Sequence, residues 1–356
     1  MVLILFILLL SVIIVIHEAG HLIAAKIFGV YCSEFSMGMG PEVLHFQGKE
    51  TKYALRLIPI GGFVAMAGDS DNALESKTDA EIPVERTLVG VAKWKKIIIM
   101  MAGIIMNFVL AFVVASLVFL YVGAYPKAPE PVLDSVMPNT VAETVGLMAD
   151  DRIVEMRYDE LNIKTHPKTF DDVSTFMFGH ESDELTLVVG RNDQELEFSL
   201  TPEYNAENDR YMVGIKAKAP EVIEVNLMNC WGIGIDYLSY VTRTIFMSLG
   251  QLFKGVGLEN LSGPVGVYQA TESAISAGYE SYLLMLAVLS VNVGIFNALP
   301  LPILDGGRVL ITLIEAVIKR PLSEKAINIL MSASMALLLI LMLFATWQDI
   351  ARVFIK

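Results

Sequence analysis

The sequence predicts a polytopic α-helical membrane protein with about four transmembrane helices, a membrane-associated β-hairpin or sheet on the cytoplasmic side, and one small α/β domain. Of its 356 residues, 54% are hydrophobic, and the mean hydropathy is +0.56. Four largely uncharged runs are each long enough to cross a bilayer core of about 30 Å, which takes about 20 helical residues. A polar segment with alternating apolar residues separates the second run from the third.

The apolar runs give the predicted spans. They lie at about residues 1–16, 97–126, 281–304 and 326–348. One such run could be a buried helix of a soluble protein, but four in one chain indicate a membrane protein. The first run reaches Ala25 if its polar residues are tolerated. It has no basic residues before it and no small-residue cleavage site after it, so we expect a retained helix rather than a signal peptide.

Two basic clusters next to the predicted spans set the expected orientation. They comprise Arg86, Lys93, Lys95 and Lys96 before the second span, and Lys319, Arg320 and Lys325 between the third and the fourth. The positive-inside rule places both clusters in the cytoplasm, although Arg352 and Lys356 count weakly against this. We therefore expect a multi-pass protein of the cytoplasmic membrane, with its N-terminus and residues 127–220 outside.

The segments between the spans differ in character. Residues 31–67 contain two strand-like stretches on either side of Gly48, which predicts a hairpin, and a polar linker follows them. Residues 231–253 predict an amphipathic helix on the membrane surface, with a fifth span as the alternative. The stretch "LSGPVGV", residues 261–267, predicts a Gly-Pro loop. The predicted segments are the first span at 1–30, the β region at 31–67, the polar linker and basic segment at 68–96, and the second span at 97–126. The α/β domain at 127–220, the amphipathic helix and Gly-Pro loop at 221–280, the third span at 281–308, a cytoplasmic loop at 309–325 and the fourth span at 326–350 follow.

Residues 127–220 are predicted to form the α/β domain. Two alternating strands, "LTLVV" and "LEFSL", are joined by a hairpin at residues 191–194, and a helix is expected over residues 170–180. Upstream, a proline turn, a short helix and the strand "RIVEM" follow one another in an order that resembles a PDZ domain. Ala149-Asp150 stands where such domains usually have Gly-Asp. We therefore expect one PDZ-like domain.

Charge and cysteine content exclude two classes of protein. The net charge is −13, and residues 127–218 carry 19 acidic against 9 basic residues. Because binding to phosphates needs a basic face, no nucleic-acid partner is expected. Cys32 and Cys230 fall on opposite sides of the membrane in the predicted topology, so we expect no structural disulfide.

The first apolar helix contains the pattern His17-Glu18-x-x-His21. Two histidines four residues apart project from one face of a helix, one turn apart, and can bind a single zinc ion. Glu18 points towards water or substrate, as the general base of this motif does. Unpaired polar groups in lipid are costly, so this trio in an apolar helix predicts a functional metal site rather than a chance match.

A hydrolytic zinc site usually takes a third protein ligand, and Asp305 is the best candidate. Pro300 and Pro302 break the third apolar run just before it. Broken helix at membrane depth is tolerated where it is buried in protein or lines a cavity. With a rise of about 1.5 Å per residue, His17 lies most of the way across the membrane from the outer end of its helix. Asp305 lies at the cytoplasmic end of the third run, so both parts of the site are expected near the cytoplasmic face. The alternatives are a helix-capping role for Asp305, or a ligand from His45, which lies in the strand region. His166 and His180 fall in the outer domain and are expected at its surface.

Together these motifs resemble the site-2 protease family of intramembrane zinc metalloproteases. The resemblance depends on "HEAGH" in the first helix and "FNALPLPILDGG" at the third span. "MGMGP", "IPIGGFVAMAG" and "SGPVGV" are also similar to the sequences of that family at the expected places. The single PDZ-like domain between the second and third spans narrows the resemblance to the bacterial regulator-of-sigma-E protease type. It covers essentially the whole chain.

The resemblance implies roles for individual residues. His17, His21 and Asp305 would hold one zinc ion per chain, and Glu18 would be the catalytic base. Asn297 would help to hold the backbone of the substrate. The strand around Gly61 and Gly62 is expected either to pair with an extended substrate segment or to form only part of a plain hairpin.

The expected function is that of a zinc metalloendopeptidase that cuts within the transmembrane segment of a single-pass membrane protein. The resemblance implies that this substrate, an anti-sigma factor or a signal-peptide remnant, is first shortened on its outer side by an upstream site-1 protease. Cleavage would release a cytoplasmic signalling fragment. The PDZ-like domain would either bind a new C-terminus or exclude substrates with large outer domains.

Two other functions compete with this one. An inactive relative would act as a membrane scaffold through its PDZ-like domain, but Glu18 is intact, which argues against loss of activity. A metal transporter would need further polar residues along a membrane pathway. The second and fourth runs offer few beyond Asn107, Asn328 and small hydroxyls.

Overall fold

The computed structural model describes residues 1–69, 82–177, 183–205, 210–253 and 261–354. Residues 70–81 of the predicted polar linker and His180 lie outside these ranges. The chain divides into two compact units. Unit 1 comprises Met1–Val118, Gly234–Thr242 and Ser262–Lys356, and unit 2 comprises Phe119–Ile233 and Arg243–Leu261.

Helices dominate unit 1 and confirm the predicted membrane fold. The helices of the chain are α1 Val2–Ile27, α2 Lys93–Val122, α3 Val141–Thr144, α4 Phe170–Met177, α5 Cys230–Phe253, α6 Pro264–Ala277, α7 Tyr279–Asn297, α8 Asp305–Ile318 and α9 Glu324–Phe354. Within the described ranges, four are long and apolar enough to cross a membrane, namely α1, α2, α7 and most of α9. Helix α5, with Asp236 and Arg243 in its sequence, is not among them, so its composition does not support a fifth span.

Two long strands follow α1 and form the predicted β region. Strand β1, Cys32–Gln47, pairs antiparallel with β2, Lys52–Met66, and Glu34 pairs with both Ala65 and Lys52 because β2 bends around it. Residues 39–58 of this hairpin expose large apolar side chains, namely those of Met39, Val43, Leu44, Phe46, Leu57 and Ile58. Such a patch suits contact with a membrane, which stays a prediction for this hairpin.

Unit 2 contains the predicted α/β domain. Its strands are β3 Ala124–Lys127, β4 Leu133–Val136, β5 Arg152–Tyr158, β6 Ile163–Thr165, β7 Leu185–Arg191, β8 Gln194–Leu200, β9 Glu203–Asn205, β10 Arg210–Met212, β11 Ile215–Ala217 and β12 Glu221–Glu224. A sheet of order β6-β5-β7-β8 and helix α4 enclose a core that includes Met156, Val173 and Leu187. Asn192 and Asp193, both with positive φ, make the tight turn of the β7–β8 hairpin and confirm that predicted hairpin.

The comparison with a PDZ domain stays a prediction, but the structure shifts its motif by one residue. Asp150, rather than Ala149, takes the left-handed conformation that glycine usually provides, with φ of 67°. Asp151 is then the buried carboxylate, 1% exposed. It accepts two hydrogen bonds of 2.6 Å from Arg191 and one from the backbone N–H of Met148. The left-handed turn residue and the buried carboxylate therefore each lie one residue after the positions that the Ala149-Asp150 pairing assigned to them.

Two expected loops are helical. The segment 309–325 was expected to be a loop, but α8 continues to Ile318, because no proline or glycine interrupts it after Gly307. The predicted Gly-Pro loop enters α6 directly at Pro264, since proline at the first helical position needs no hydrogen-bond partner for its nitrogen. The side chain of Asp349 on α9 caps this helix by accepting the Gly266 N–H at 2.8 Å.

We expect the buried Asp151–Arg191 pair to hold unit 2 together. Asp151→Asn removes the charge that Arg191 faces and should lower the free energy of unfolding of this unit by about 3 kcal/mol. Hydrogen exchange of the amides in β5 and β7, measured on the full-length protein in detergent, should accelerate roughly a hundredfold.

The matched control is Lys218→Met. It breaks the Lys218–Asp150 pair, whose side chains are 48% and 80% exposed, and exposed pairs contribute little to stability. Unchanged exchange in Asp151→Asn, or equal acceleration in both variants, would contradict the role assigned to Asp151.

Candidate metal centre

The two histidines of α1 converge on one point. The Nε2 atoms of His17 and His21 lie 3.2 Å apart, and the residues are only 8% and 6% exposed. Their spacing of one helical turn places both rings on the same side of α1. Nδ1 of His21 lies 2.8 Å from the backbone carbonyl oxygen of Ile99 on α2, which orients that ring.

The third member of the cluster is Asp305, the first residue of α8. Its Oδ2 atom lies 3.0 Å from His17 Nε2 and 3.2 Å from His21 Nε2. Residues 298–304 between α7 and α8 are not helical, as the prolines predict, so the chain can turn back towards α1. A Cβ atom at Gly306 would overlap the carbonyl oxygen of Ala298, and this close approach requires glycine there.

These three side chains suit a zinc ion. In tetrahedral coordination at about 2.0–2.1 Å, ligand atoms lie about 3.3 Å from one another, close to the separations found here. The Oδ2 atom of Asp305 is buried and accepts no hydrogen bond from any described group, which leaves it free to bind a metal. Within the described part of the chain, this is the group of three or more His, Cys, Asp or Glu side chains with metal-binding spacing.

A cavity of about 340 Å³ opens onto the cluster. Glu18, Gly62 and Asn297 line it together with the three candidate ligands. A Cβ atom at Gly62 would lie 3.4 Å from Cγ of Glu18, so β2 passes directly beside the candidate base. Gly61, the next residue along β2, is not among the residues that line the cavity within the described chain.

His45, the predicted alternative ligand, and His166, which was expected at the surface, both lie outside this cluster. Nδ1 of His45 lies 2.5 Å from a carboxylate oxygen of Glu42 on the exposed hairpin, and Nε2 of His166 lies 3.1 Å from one of Glu155 on the surface of unit 2. Neither histidine belongs to a metal-binding group among the residues that the structure describes. Their positions therefore do not support a role for His45 or His166 as a ligand of the candidate metal site.

Two polar residues of the cavity were missed by the sequence analysis. Arg308, one turn after Asp305 on α8, forms an ion pair with the buried carboxylate of Asp69, which follows β2. This pair connects α8 to the end of the hairpin next to the candidate metal site. The only signal in the sequence was a charged residue inside the "LDGGRVL" motif.

Helix α2 supplies the remaining wall of the site. A Cβ atom at Gly103 would lie 2.7 Å from Cε1 of His21 and 2.8 Å from Cε1 of His17, so glycine leaves the room for both rings. The buried side chain of Asn107, one turn further along α2, has its Nδ2 atom 3.3 Å from Nδ1 of His17. Neither residue was predicted to belong to the site, although Asn107 stood out as a lone amide in an apolar run.

The whole sequence is similar to known zinc metalloproteases. The sequence profile of peptidase family M50 matches residues 5–341. The zinc metalloprotease RasP of Bacillus licheniformis is 29% identical over 98% of this chain and 99% of its own length. A putative zinc metalloprotease of Clostridium acetobutylicum is 32% identical over 96% of this chain and 94% of its own. The regulator of sigma-W protease RasP of Bacillus subtilis is 28% identical over 98% of both chains.

We expect Gly103→Ala to disturb the metal centre directly. The added methyl group would press on both imidazole rings and push their Nε2 atoms apart. Zinc affinity, measured by competition with a chromogenic chelator in detergent, should fall by about tenfold or more, the loss typical when ligand orientation is disturbed.

Gly232→Ala is the matched control, because a Cβ atom at this helical position meets nothing within 4 Å. It should leave zinc affinity unchanged. Equal zinc affinity of Gly103→Ala and the wild type would show that the rings are not held against α2.

Proposed function

The chain belongs to peptidase family M50, the site-2 proteases, and is a zinc metalloendopeptidase of the membrane; we propose that His17, His21 and Asp305 hold its zinc ion and that Glu18 is its catalytic base. The observation that carries this proposal is the convergence of the three ligand atoms within 3.2 Å at one end of a cavity that Glu18 also lines.

The roles of the residues follow from their chemistry. Bound zinc supplies Lewis-acid chemistry, which polarises a peptide carbonyl and lowers the pKa of water towards about 7. Glu18 follows His17 directly on α1, so the helix fixes the base relative to two of the ligands. Its carboxylate would take the proton from the attacking water and later donate it to the leaving amine. Asp305 contributes a negative charge that offsets part of the charge of the metal.

The substrate segment is proposed to lie between β2 and the residues after α7. Gly62 and Asn297 line the same cavity as Glu18, which supports contact between these residues and the substrate backbone. The side-chain amide of Asn297 can donate to a carbonyl and accept from an N–H group of an unwound peptide. Gly61, with φ of 91°, would act indirectly by bending β2 at this point.

We propose that the substrates are single-pass membrane proteins, such as anti-sigma factors or signal-peptide remnants. The Bacillus subtilis relative is named a regulator of sigma-W protease, and similarity over 98% of both chains supports carrying this substrate class over. Prior shortening by a site-1 protease, and release of a cytoplasmic fragment, belong to the same proposal. The proposed topology is also part of it: residues 127–220 form a PDZ-like domain on the outer side of a bacterial cell membrane, and the active site lies near the cytoplasmic side.

We expect Glu18→Gln to separate metal binding from catalysis. The amide is close in size to the carboxylate but cannot accept the proton, so cleavage of a model transmembrane substrate in detergent should fall by about 10²-fold or more. Zinc content, measured on the same preparation by elemental analysis, should remain at one ion per chain.

Asp305→Ala is the contrasting variant, because it removes a proposed ligand and should lower both zinc content and cleavage. If Glu18→Gln cuts as fast as the wild type, the assignment of the base is wrong. If Asp305→Ala keeps its zinc, Asp305 is not a ligand.

The proposed topology predicts different labelling of two exposed sites. In a background without native cysteines, Gln194→Cys on unit 2 should react in intact cells with a membrane-impermeant maleimide. Arg320→Cys, after α8, should react only after the cells are permeabilised. The reverse labelling pattern would invert the proposed orientation.

A further inference from the structure

Helix α2 carries a buried amide beside the metal centre. The side chain of Asn107 is fully buried, and its backbone carbonyl oxygen accepts a hydrogen bond of 2.8 Å from Ser290 on α7. Its Nδ2 atom lies 3.3 Å from Nδ1 of His17, and its Oδ1 atom has no hydrogen-bond partner among the described groups. A half-satisfied amide in an apolar helix is costly, so its position calls for a physical reason.

The geometry of the cluster fixes which ring nitrogens face the metal. The Nε2 atoms of both histidines lie 3.0–3.2 Å from Oδ2 of Asp305, and they therefore provide the lone pairs. Each ring must then carry its proton on Nδ1. For His21, this proton has an acceptor in the backbone carbonyl oxygen of Ile99, 2.8 Å away. For His17, the side chain within hydrogen-bond distance of Nδ1 is that of Asn107.

We infer that Asn107 is a positioning residue whose Oδ1 atom accepts the Nδ1–H of His17. A half-turn of the side-chain amide exchanges the positions of Oδ1 and Nδ2 and leaves the other heavy atoms in place. The two orientations therefore differ only in the hydrogen bonds that they make. Either orientation leaves one end of the amide without a partner, so the ring nitrogen decides between them. If Nδ2 donated to Nδ1, the proton of His17 would sit on Nε2 and block its lone pair.

This inference rests on the proposed zinc site and adds a residue to it. Partners of this kind fix the tautomer and the ring orientation of a metal-binding histidine, and their loss typically costs 10- to 100-fold in metal affinity. The two histidines would thus be held in different ways, His21 by a backbone carbonyl and His17 by a side chain. Only the second can be removed by substitution.

The experiment compares Asn107→Leu and Asn107→Asp for zinc affinity, measured by chelator competition on full-length protein in detergent. Leucine has a similar size but accepts no hydrogen bond, so the dissociation constant for zinc should rise about 10- to 100-fold. Aspartate keeps an acceptor oxygen at the same position and should restore affinity to the wild-type value or tighter. If the apolar leucine side chain prevents folding, Asn107→Ala replaces Asn107→Leu, because alanine also accepts no hydrogen bond through its side chain.

Ser116→Ala is the matched control, because this buried hydroxyl on α2 bonds only to the Phe112 carbonyl oxygen of its own helix among the contacts described. It should leave zinc affinity unchanged. Unchanged affinity in Asn107→Leu, or equal losses in the leucine and aspartate variants, would overturn the inference while zinc binding by the wild type upholds the proposed function. A wild type that binds no zinc would overturn both.

Discussion

The structure of unit 1 depends on the need to bring three polar side chains together within an apolar surrounding. Two imidazoles and a carboxylate cannot be buried separately without a large cost in free energy, so each must find partners inside the protein. His17 and His21 come from one helical turn and meet automatically. Asp305 lies almost 290 residues further along the chain. The non-helical segment 298–304 allows the chain to turn so that Asp305 reaches both histidines. The backbone around α8 is thus shaped by a contact made with α1.

Glycine makes this convergence sterically possible. Gly103 leaves room for both imidazole rings, and Gly306 allows the start of α8 to approach the end of α7. At Gly20 on α1, a Cβ atom would overlap the backbone carbonyl of Ala102, so α1 and α2 also approach closely there. Small residues serve the same purpose in other membrane proteins, where close backbone contact replaces the hydrophobic driving force between helices.

The candidate ligands were predictable from the sequence because their signals are local. A fixed spacing on one helix predicted His17 and His21, and prolines followed by glycines predicted a break before Asp305. The contributions of Asn107 and Gly103 were not predictable, because they depend on how α2 is rotated against α1, which no short pattern records. The same holds for the Arg308–Asp69 pair, whose partners lie on separate elements. In unit 2, the sequence comparison placed the glycine-like turn residue at Ala149, whereas the left-handed conformation is found at Asp150. Residue type alone does not reveal which residue of such a turn takes that conformation.

The apolar surrounding also constrains how protons can move. The proposed base, Glu18, lines the cavity and is fixed beside the candidate metal site because it lies on the same helix as two of the candidate ligands. Strand β2 passes so close to it that a Cβ atom at position 62 would overlap the Ser36 carbonyl oxygen and touch Cγ of Glu18. Glycine at that position keeps the space beside the carboxylate open. An extended peptide backbone is much narrower than an intact helix, which is about 10–12 Å across with its side chains. We therefore expect the proposed substrate to reach Glu18 more readily as an unwound segment than as an intact helix.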